Sequence, residues 1–577
     1  MHHRKSKIDI TKSNGYRYIG YSLLLTIMGA CGQHMGAQEA ADLILHNANI
    51  ITVDEDFSQA KTLVIRDDRI VYVGNRQNIS AWQDSTTQVI DLQGKTVLPG
   101  FIEPHTHPIA SAVLYKWTDV SGITHKTAKS ALTALKKTVK ETPEGEWILG
   151  FGWDMILLED AMALDRDFLD REISSEHPVW IMMQSMHTSY FNSMALERAG
   201  ITDQTPNPIG GGEYKKDSNG RLTGIVTESA TLTPFVKALP HLSHREGIRD
   251  MLRMYGRYNA AGISTIGATG LLDIFPGISG LQVCRDIAQS DWPPIRLYYY
   301  DVGTPQLQDS LPDTDDWMLR RIGQKYWIDG SPYTGSMLID EPYLNTPLTN
   351  EKLDIPFDSH GHQMYPQEIY RAMIDQADSL GWQIAIHAQG DSASRIALDL
   401  LAQTATTQER RHRMEHLALV ERETLQSMAE IGVTPSFHIN HVYYYGDELS
   451  DYIIGQTRAD RLMPLADALD FDHHLTLHND SPMYPPSPLL AIQTAVTRTS
   501  RTGRMIGGEQ AISIDEAIKA VTINAAWQLH AEDEIGSLEV GKKADFVILS
   551  DDPMIIDPHQ IAQIRVIATF VNGKKAI

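Results

Sequence analysis

The stretch Leu98-Pro99-Gly100-Phe101-Ile102-Glu103-Pro104-His105-Thr106-His107-Pro108 decides how this chain is read. A short apolar run over residues 96–102 ends in two histidines two residues apart. Side chains at i and i+2 of a strand share a face, so His105 and His107 are expected to aim together from the strand's end. Two imidazoles converging from a rigid edge make half of a metal site. A lone His-x-His also occurs as a chance surface pair, so the reading depends on further ligands at comparable positions.

Outward from that stretch the chain repeats a strand-then-helix rhythm. Seven more candidate strands lie at residues 262–266, 295–300, 324–329, 383–387, 413–416, 433–438 and 475–480, and amphipathic segments such as 366–380 and 422–431 separate several of them. Eight strands alternating with helices predict an α/β fold, a (β/α)8 barrel of the TIM type over residues 98–534, with its active site at the C-terminal strand ends. The stretch of about 114–250, after strand 1, is too long for one connection. Its apolar segments at 147–151 and 178–183, with a Gly210-Gly211-Gly212 turn, predict an inserted subdomain over the barrel mouth. Residues 41–97 alternate short β-rich runs with turns at Asp67-Asp68 and Gly74-Asn75, and residues 535–577 add more of the same kind. The two ends are expected to pair into one small composite β-sandwich.

Composition narrows the function. With 42% hydrophobic and 21% charged residues the chain is an ordinary globular protein with ample core material. A formal net charge of −23, without a basic run beyond the N-terminus, argues against nucleic-acid binding. The first 31 residues differ. Arg4, Lys5, Lys7, Lys12 and Arg17 precede an apolar run at 18–28 and then Gly29-Ala30-Cys31. That is the basic, apolar, small-residue order of a secretory signal, too short to span comfortably as a mature helix. It resembles a bacterial lipoprotein signal, which implies lipidation of Cys31, an exported periplasmic or cell-envelope protein, and membrane contact only through that lipid. A plain signal peptide or a membrane anchor has the same order. Cys31 and Cys284 are the only cysteines, which excludes a thiolate-rich metal site and leaves nitrogen and oxygen donors.

Candidate donors end several strands: His105 and His107, then Lys325, His387, His416 and Asp480. Singly each has a bland explanation: a hydrogen-bonded packing histidine, a snorkelling lysine, an aspartate capping a helix. Five strand ends meeting on one face of one barrel are hard to explain in that way.

With Gly150-Phe151-Gly152-Trp153-Asp154, Lys325-Tyr326-Trp327-Ile328-Asp329-Gly330-Ser331, His387-Ala388-Gln389-Gly390-Asp391, Glu415-His416, Asp480-Ser481-Pro482 and the closing Gly536-Ser537-Leu538-Glu539-Val540-Gly541-Lys542-Lys543-Ala544-Asp545-Phe546, the chain resembles the amidohydrolase superfamily, within it the amidohydrolase-3 group. The likeness covers residues 41–577. Glu103 and Pro104 stand where that family more often has Asp and Ser or Gly. The resemblance implies one or two divalent ions, zinc best matched to the donors, iron (Fe2+) or manganese (Mn2+) next. His105 and His107 would hold the first ion. Lys325, carrying a carboxylate made from CO2, would bridge to a second held by His387 and His416. Asp480 would contact the first ion and move the nucleophile's proton to the leaving nitrogen. Trp153, Asp154 and His187 in the insertion, Asp329 ending strand 4 and His438 after strand 7 are candidates to face the substrate. Glu228 is a candidate outer partner or further ligand, and His441 with the tyrosines at 443–445 a candidate pocket wall. The implied activity is hydrolysis of a carbon–nitrogen bond in a small-molecule amide (N-acyl, N-formyl or cyclic). The alternatives are deamination or ester cleavage on the same scaffold, or a catalytically inactive ligand-binding protein. A homodimer is common among such relatives.

Overall fold

Eight parallel strands run consecutively around one sheet: β1 (Phe101–Thr106), β2 (Ile263–Thr269), β3 (Arg296–Val302), β4 (Leu319–Trp327), β5 (Gln383–Ala388), β6 (Arg413–His416), β7 (Thr434–Phe437) and β8 (Thr476–Leu477). Each pairs in parallel with the next. The computed structural model describes residues 40–576, apart from 76–77, 209–211, 304–316 and 405–406. The signal-like segment with Cys31, and most of the triple-glycine turn, lie outside the described residues. Strands β1, β2 and β5 are buried along their whole length, as a parallel sheet covered on both faces requires. The helices expected at 366–380 and 422–431 are Gln367–Ser379 and Arg422–Ile431.

The sheet order ends at β8 and β1, and the seam between them is bridged by other bonds. Asn479 N donates to Glu103 Oε1 at 2.9 Å and Asn479 Nδ2 to Glu103 Oε2 at 2.5 Å, while His107 N donates to Ser481 O at 2.8 Å. The carboxylate of Glu103, the residue that departs from the family pattern, thus ties strand 1 to the loop carrying Asp480.

The expected strands differ in extent: strand 2 runs on to Thr269, strand 3 to Val302, and strand 4 begins at Leu319 and stops at Trp327, short of Asp329. The apolar run at 96–102 is two strands, because Gly100 interrupts it. Thr96–Pro99 pairs into the small domain and only Phe101–Thr106 enters the barrel. A Cβ at Gly100 would lie 2.3 Å from Ser264 Oγ, so only glycine passes where the chain changes sheets. Strand 7 stops at Phe437 and strand 8 at Leu477, which leaves His438 and the segment His478-Asn479-Asp480 on the loops beyond them.

Between β1 and β2 lies a mixed six-stranded sheet in the order Glu213–Lys216, Leu222–Thr227, Thr188–Phe191, Val179–Met183, Ile148–Trp153, Thr118–Asp119. The helix His244–Ala260 that follows belongs to the barrel, where it packs on β2 and on the helix Pro108–Leu114. A limit at about residue 250 therefore falls inside a barrel helix. Ser243 and Glu246 form a capping box at its start, and Met251, Met254, Tyr255 and Tyr258 make its buried face.

The small domain has two sheets. Strands Arg69–Gly74, Thr62–Arg66, Leu43–His46 and Gln88–Asp91 form one. Lys574–Lys575, Val566–Val571, Phe546–Leu549, Thr96–Pro99, Asn49–Ile51 and Gln59–Ala60 form the other, which draws on both chain ends. Leu45, Ile50 and Leu63 share its core with Phe546, Ile548 and Phe570. A buried ion pair locks this domain to the barrel. Arg296 of β3 donates from Nε to Asp545 Oδ2 at 2.6 Å and from Nη2 to Oδ1 at 3.0 Å, and Asn572 N donates to Oδ1 at 2.8 Å. Asp545→Ala strands a buried guanidinium and is expected to cost about 3–5 kcal/mol, read as a lowered denaturant midpoint. A loss under about 1 kcal/mol, the range of an exposed pair, would overturn that role.

Candidate metal centre

At the C-terminal rim of the barrel, imidazoles from five strand ends surround the Asp480 carboxylate. His107 Nε2 lies 3.2 Å and His105 Nε2 3.7 Å from Asp480 Oδ1, while His438 Nδ1 lies 3.9 Å and His416 Nδ1 4.0 Å from Oδ2. The His387 ring sits 4.3 Å from that of His416, which is 4.7 Å from His105. Among the described residues, three clusters have ligand atoms close enough to share an ion: His105, His107 and Asp480; His416, His438 and Asp480; and His105, His416 and His478.

The rings of His105, His107, His387 and His438 are held from behind, and the holding atom decides which nitrogen is left free. His105 Nδ1 donates to Glu415 Oε2 at 2.6 Å, His107 Nδ1 to Gly270 O at 3.0 Å and His387 Nδ1 to Asp329 Oδ1 at 2.9 Å, so each keeps Nε2 free. His438 is the reverse: Nε2 donates to Asn479 O at 3.2 Å and Nδ1 faces Asp480. Burial lowers the pKa of His105, His416, His387 and His478, aided by the neighbouring cations, and pushes His438 down to about 4. Neutral imidazoles are the form that binds a metal. For Asp480 burial acts to raise the carboxyl pKa, but the adjoining His107, His438 and His478 outweigh it and hold the group below the usual carboxylate range.

The donor set fits a divalent cation, because Asp480 Oδ1 and Lys325 Nζ are buried with no hydrogen-bond partner, a costly arrangement for a polar atom. His416 (φ 73°), Asp480 (φ 58°) and Glu228 (φ 61°) hold left-handed backbone angles, as do non-glycine residues elsewhere in the chain. Lys325 is fully buried. Burial pushes its pKa down to about 8, with Arg413 adding to the effect against the carboxylates of Glu415 and Asp480.

The substrate-facing candidates divide. His187 and His438 line the same cavity of about 160 Å³ as His105, His107, His387 and His416. His187 comes from the insertion, and its Nδ1 pairs with Glu228 Oε2 at 2.8 Å. Burial opposes its protonation, but Glu228 and Asp480 prevail and raise its pKa. Trp153, Asp154 and Asp329 are not on that wall. Trp153 is buried in the core of the insertion with Nε1 donating to Met162 O. Asp154 accepts from Ile156 N, Leu157 N and Tyr445 OH, so it clasps the insertion to the barrel. Asp329 accepts from His387, Leu338, Gln389 and Gly390, which leaves nothing for a substrate. His441 reaches the cavity, but both its ring nitrogens are engaged, by Tyr333 and Gln389. Sequence reasoning missed His478 and the role of Glu415. His478-x-Asp480 has the same i, i+2 spacing as His105-x-His107, a signal that was there to be used.

Comparisons with known proteins agree with this geometry. The Amidohydrolase family profile matches residues 88–577. The N-substituted formamide deformylase of Arthrobacter pascens is 25% identical over 92% of this chain and 97% of its own length. YtcJ of Bacillus subtilis (strain 168) is 26% identical over 92% and 98%. A metal-dependent hydrolase from Pyrococcus horikoshii OT3 superposes with a TM-score of 0.68, at 23% identity over 89% of this chain and 99% of its own, and so shares the fold. The chain therefore belongs to the amidohydrolase family, and is a hydrolase of carbon–nitrogen bonds.

Proposed function

We propose that the protein is an exported, metal-dependent amidohydrolase acting on a small N-acyl, N-formyl or cyclic amide. The observation that carries the reading is the pair His105 and His107, each oriented from behind, facing an Asp480 carboxylate that lacks a hydrogen-bond donor at Oδ1. The N-formyl choice is supported by the name of the Arthrobacter relative, and export by the order of residues 4–31, with lipid attachment at Cys31. His105, His107 and Asp480 would hold one ion. His387 and His416 would hold a second, with Lys325 as its carboxylated bridge, and zinc suits such nitrogen and oxygen donors, Fe2+ and Mn2+ following. A divalent ion supplies Lewis acidity there, making water nucleophilic near neutral pH and polarising a carbonyl.

The chain's own groups do the rest. Asp480 Oδ1 accepts the proton of the attacking water and returns it to the leaving nitrogen. His187, kept as imidazolium by the Glu228 carboxylate at its Nδ1–H, offers Nε2–H to the carbonyl oxygen as charge develops. Glu415, Gly270 O and Asp329 keep the imidazoles from turning. Met483 and Leu272 line the cavity and limit water.

Metal analysis of the purified protein, paired with a panel of amides, N-formyl compounds, esters and exocyclic amines, tests this. The expected result is bound divalent metal and turnover of amides, lost on chelation and restored by metal. Turnover confined to esters or amines would favour the alternative chemistries on the same scaffold. No turnover of any kind in metal-loaded protein would favour a ligand-binding scaffold.

A further inference from the structure

A second cavity, of about 560 Å³, lies beside the catalytic one, and Met186 and Leu272 line both. We propose that this annex is a substrate subsite that takes a large aryl or alkyl substituent of the amide. The inference rests on the amidohydrolase reading above and names its substrate class.

The annex is built from the segments that also build the catalytic wall. Trp180 and Met182 come from the insertion strand Val179–Met183, five and three residues before Ser185-Met186-His187. Leu271 and Phe275 come from the loop that begins at Gly270, the residue whose carbonyl orients His107. Val236, on the helix Thr233–Ala238, closes the far side. Trp180, Met182, Leu271 and Phe275 are all buried. The lining is mostly apolar, with Thr233, Lys237, His241 and Asp273 its polar side chains, so it favours an apolar occupant. The charged side chains, Lys237 and Asp273, are exposed at the rim.

Size separates the roles of the two cavities. An apolar cavity of about 150 Å³ holds one benzene-sized molecule. The catalytic cavity, about 160 Å³, is of that order, so the reacting amide fills most of it and the annex is the adjoining apolar space for a bulky substituent. Met186 is half-buried at φ 61° in the turn before His187. Its flexible thioether suits a partition that yields to substituents of different shape.

The test uses the metal-loaded, full-length enzyme and N-alkyl amides from methyl to hexyl, with an N-benzyl amide. The expected kcat/KM rises roughly threefold to fourfold per methylene until the annex is full. Val236→Trp, which fills the annex, is expected to lower the ratio of kcat/KM for hexyl over methyl amide at least tenfold. Leu232→Phe, a milder filling of the same wall, should lower it less and serves if the tryptophan variant does not fold. Calorimetry of N-benzylacetamide with metal-stripped protein gives a readout independent of turnover, with binding by the wild type and weakened binding by Val236→Trp. A flat wild-type series, or equal binding by both proteins, overturns the annex while leaving amide hydrolysis intact. If no amide of any size is hydrolysed, the underlying reading fails instead, and calorimetry alone decides the annex.

Discussion

Asp480→Asn is expected to lower kcat by roughly 10²–10⁴-fold, the range for losing a positioned proton carrier. Asparagine is the substitution to use because Asp480 sits at φ 58°, and Asn is among the few residues that tolerate left-handed backbone. Shape and backbone are then preserved, and what disappears is the charge and the ability to accept a proton. The surrounding histidines, neutral through burial, no longer face an anion. Weaker metal retention should accompany the loss, since Oδ1 is the atom nearest His105 Nε2 and His107 Nε2. Metal content and a pre-steady-state measurement on the same preparation separate the two effects. Retention of a tenth or more of wild-type kcat would remove Asp480 from the reaction, while an unchanged affinity for a competitive amide inhibitor would support the proton-transfer role.

The second large effect concerns Lys325. Its Nζ is buried without a hydrogen-bond partner, among imidazoles that a free ammonium would repel any cation from. An ordinary lysine has a pKa near 10.4. With its own pushed down to about 8 by burial, a much larger share is free amine near neutral pH, the form that reacts with CO2. Carboxylation turns a positive group into a bridging anion. We therefore expect Lys325→Ala to lower activity on the order of 10²-fold or more, since loss of a ligand's outer partner already costs about 10–100-fold. Added formate or acetate should restore part of it by occupying the vacated space with a carboxylate. Wild-type protein equilibrated with 13C-bicarbonate should show a carbamate resonance that the variant lacks. A fully active Lys325→Met protein without that resonance would instead mean a centre that does not use this side chain.

Sequence and tertiary structure carry different weights at particular residues. The spacing His105-x-His107, the strand ends at Lys325, His387 and His416, and the Asp480 loop were legible because period-2 alternation and strand-end position are local properties of the chain. The helices at 367–379 and 422–431 were legible for the same reason, an apolar stripe of helical period. Trp153, Asp154 and Asp329 misled, since a polar or aromatic residue in a family motif looks alike whether it meets the substrate or holds up the wall. Asp329 has its carboxylate consumed by three backbone amides and one imidazole, a fact no spacing reveals.

By itself, then, the sequence determined the eight-stranded barrel, the supply of nitrogen and oxygen donors, and the rim at which they gather, because strand periodicity and side-chain chemistry act over a few residues. Only the tertiary structure decided which ring nitrogen each histidine keeps free, that His478 and Glu415 join the centre, and that an insertion histidine completes the cavity wall. Those outcomes depend on contacts such as His105 with Glu415, 310 positions apart, and Asn479 with Glu103, 376 apart. Pairings at that separation exist only once the sheet has closed on itself, and so leave no periodic trace along the chain.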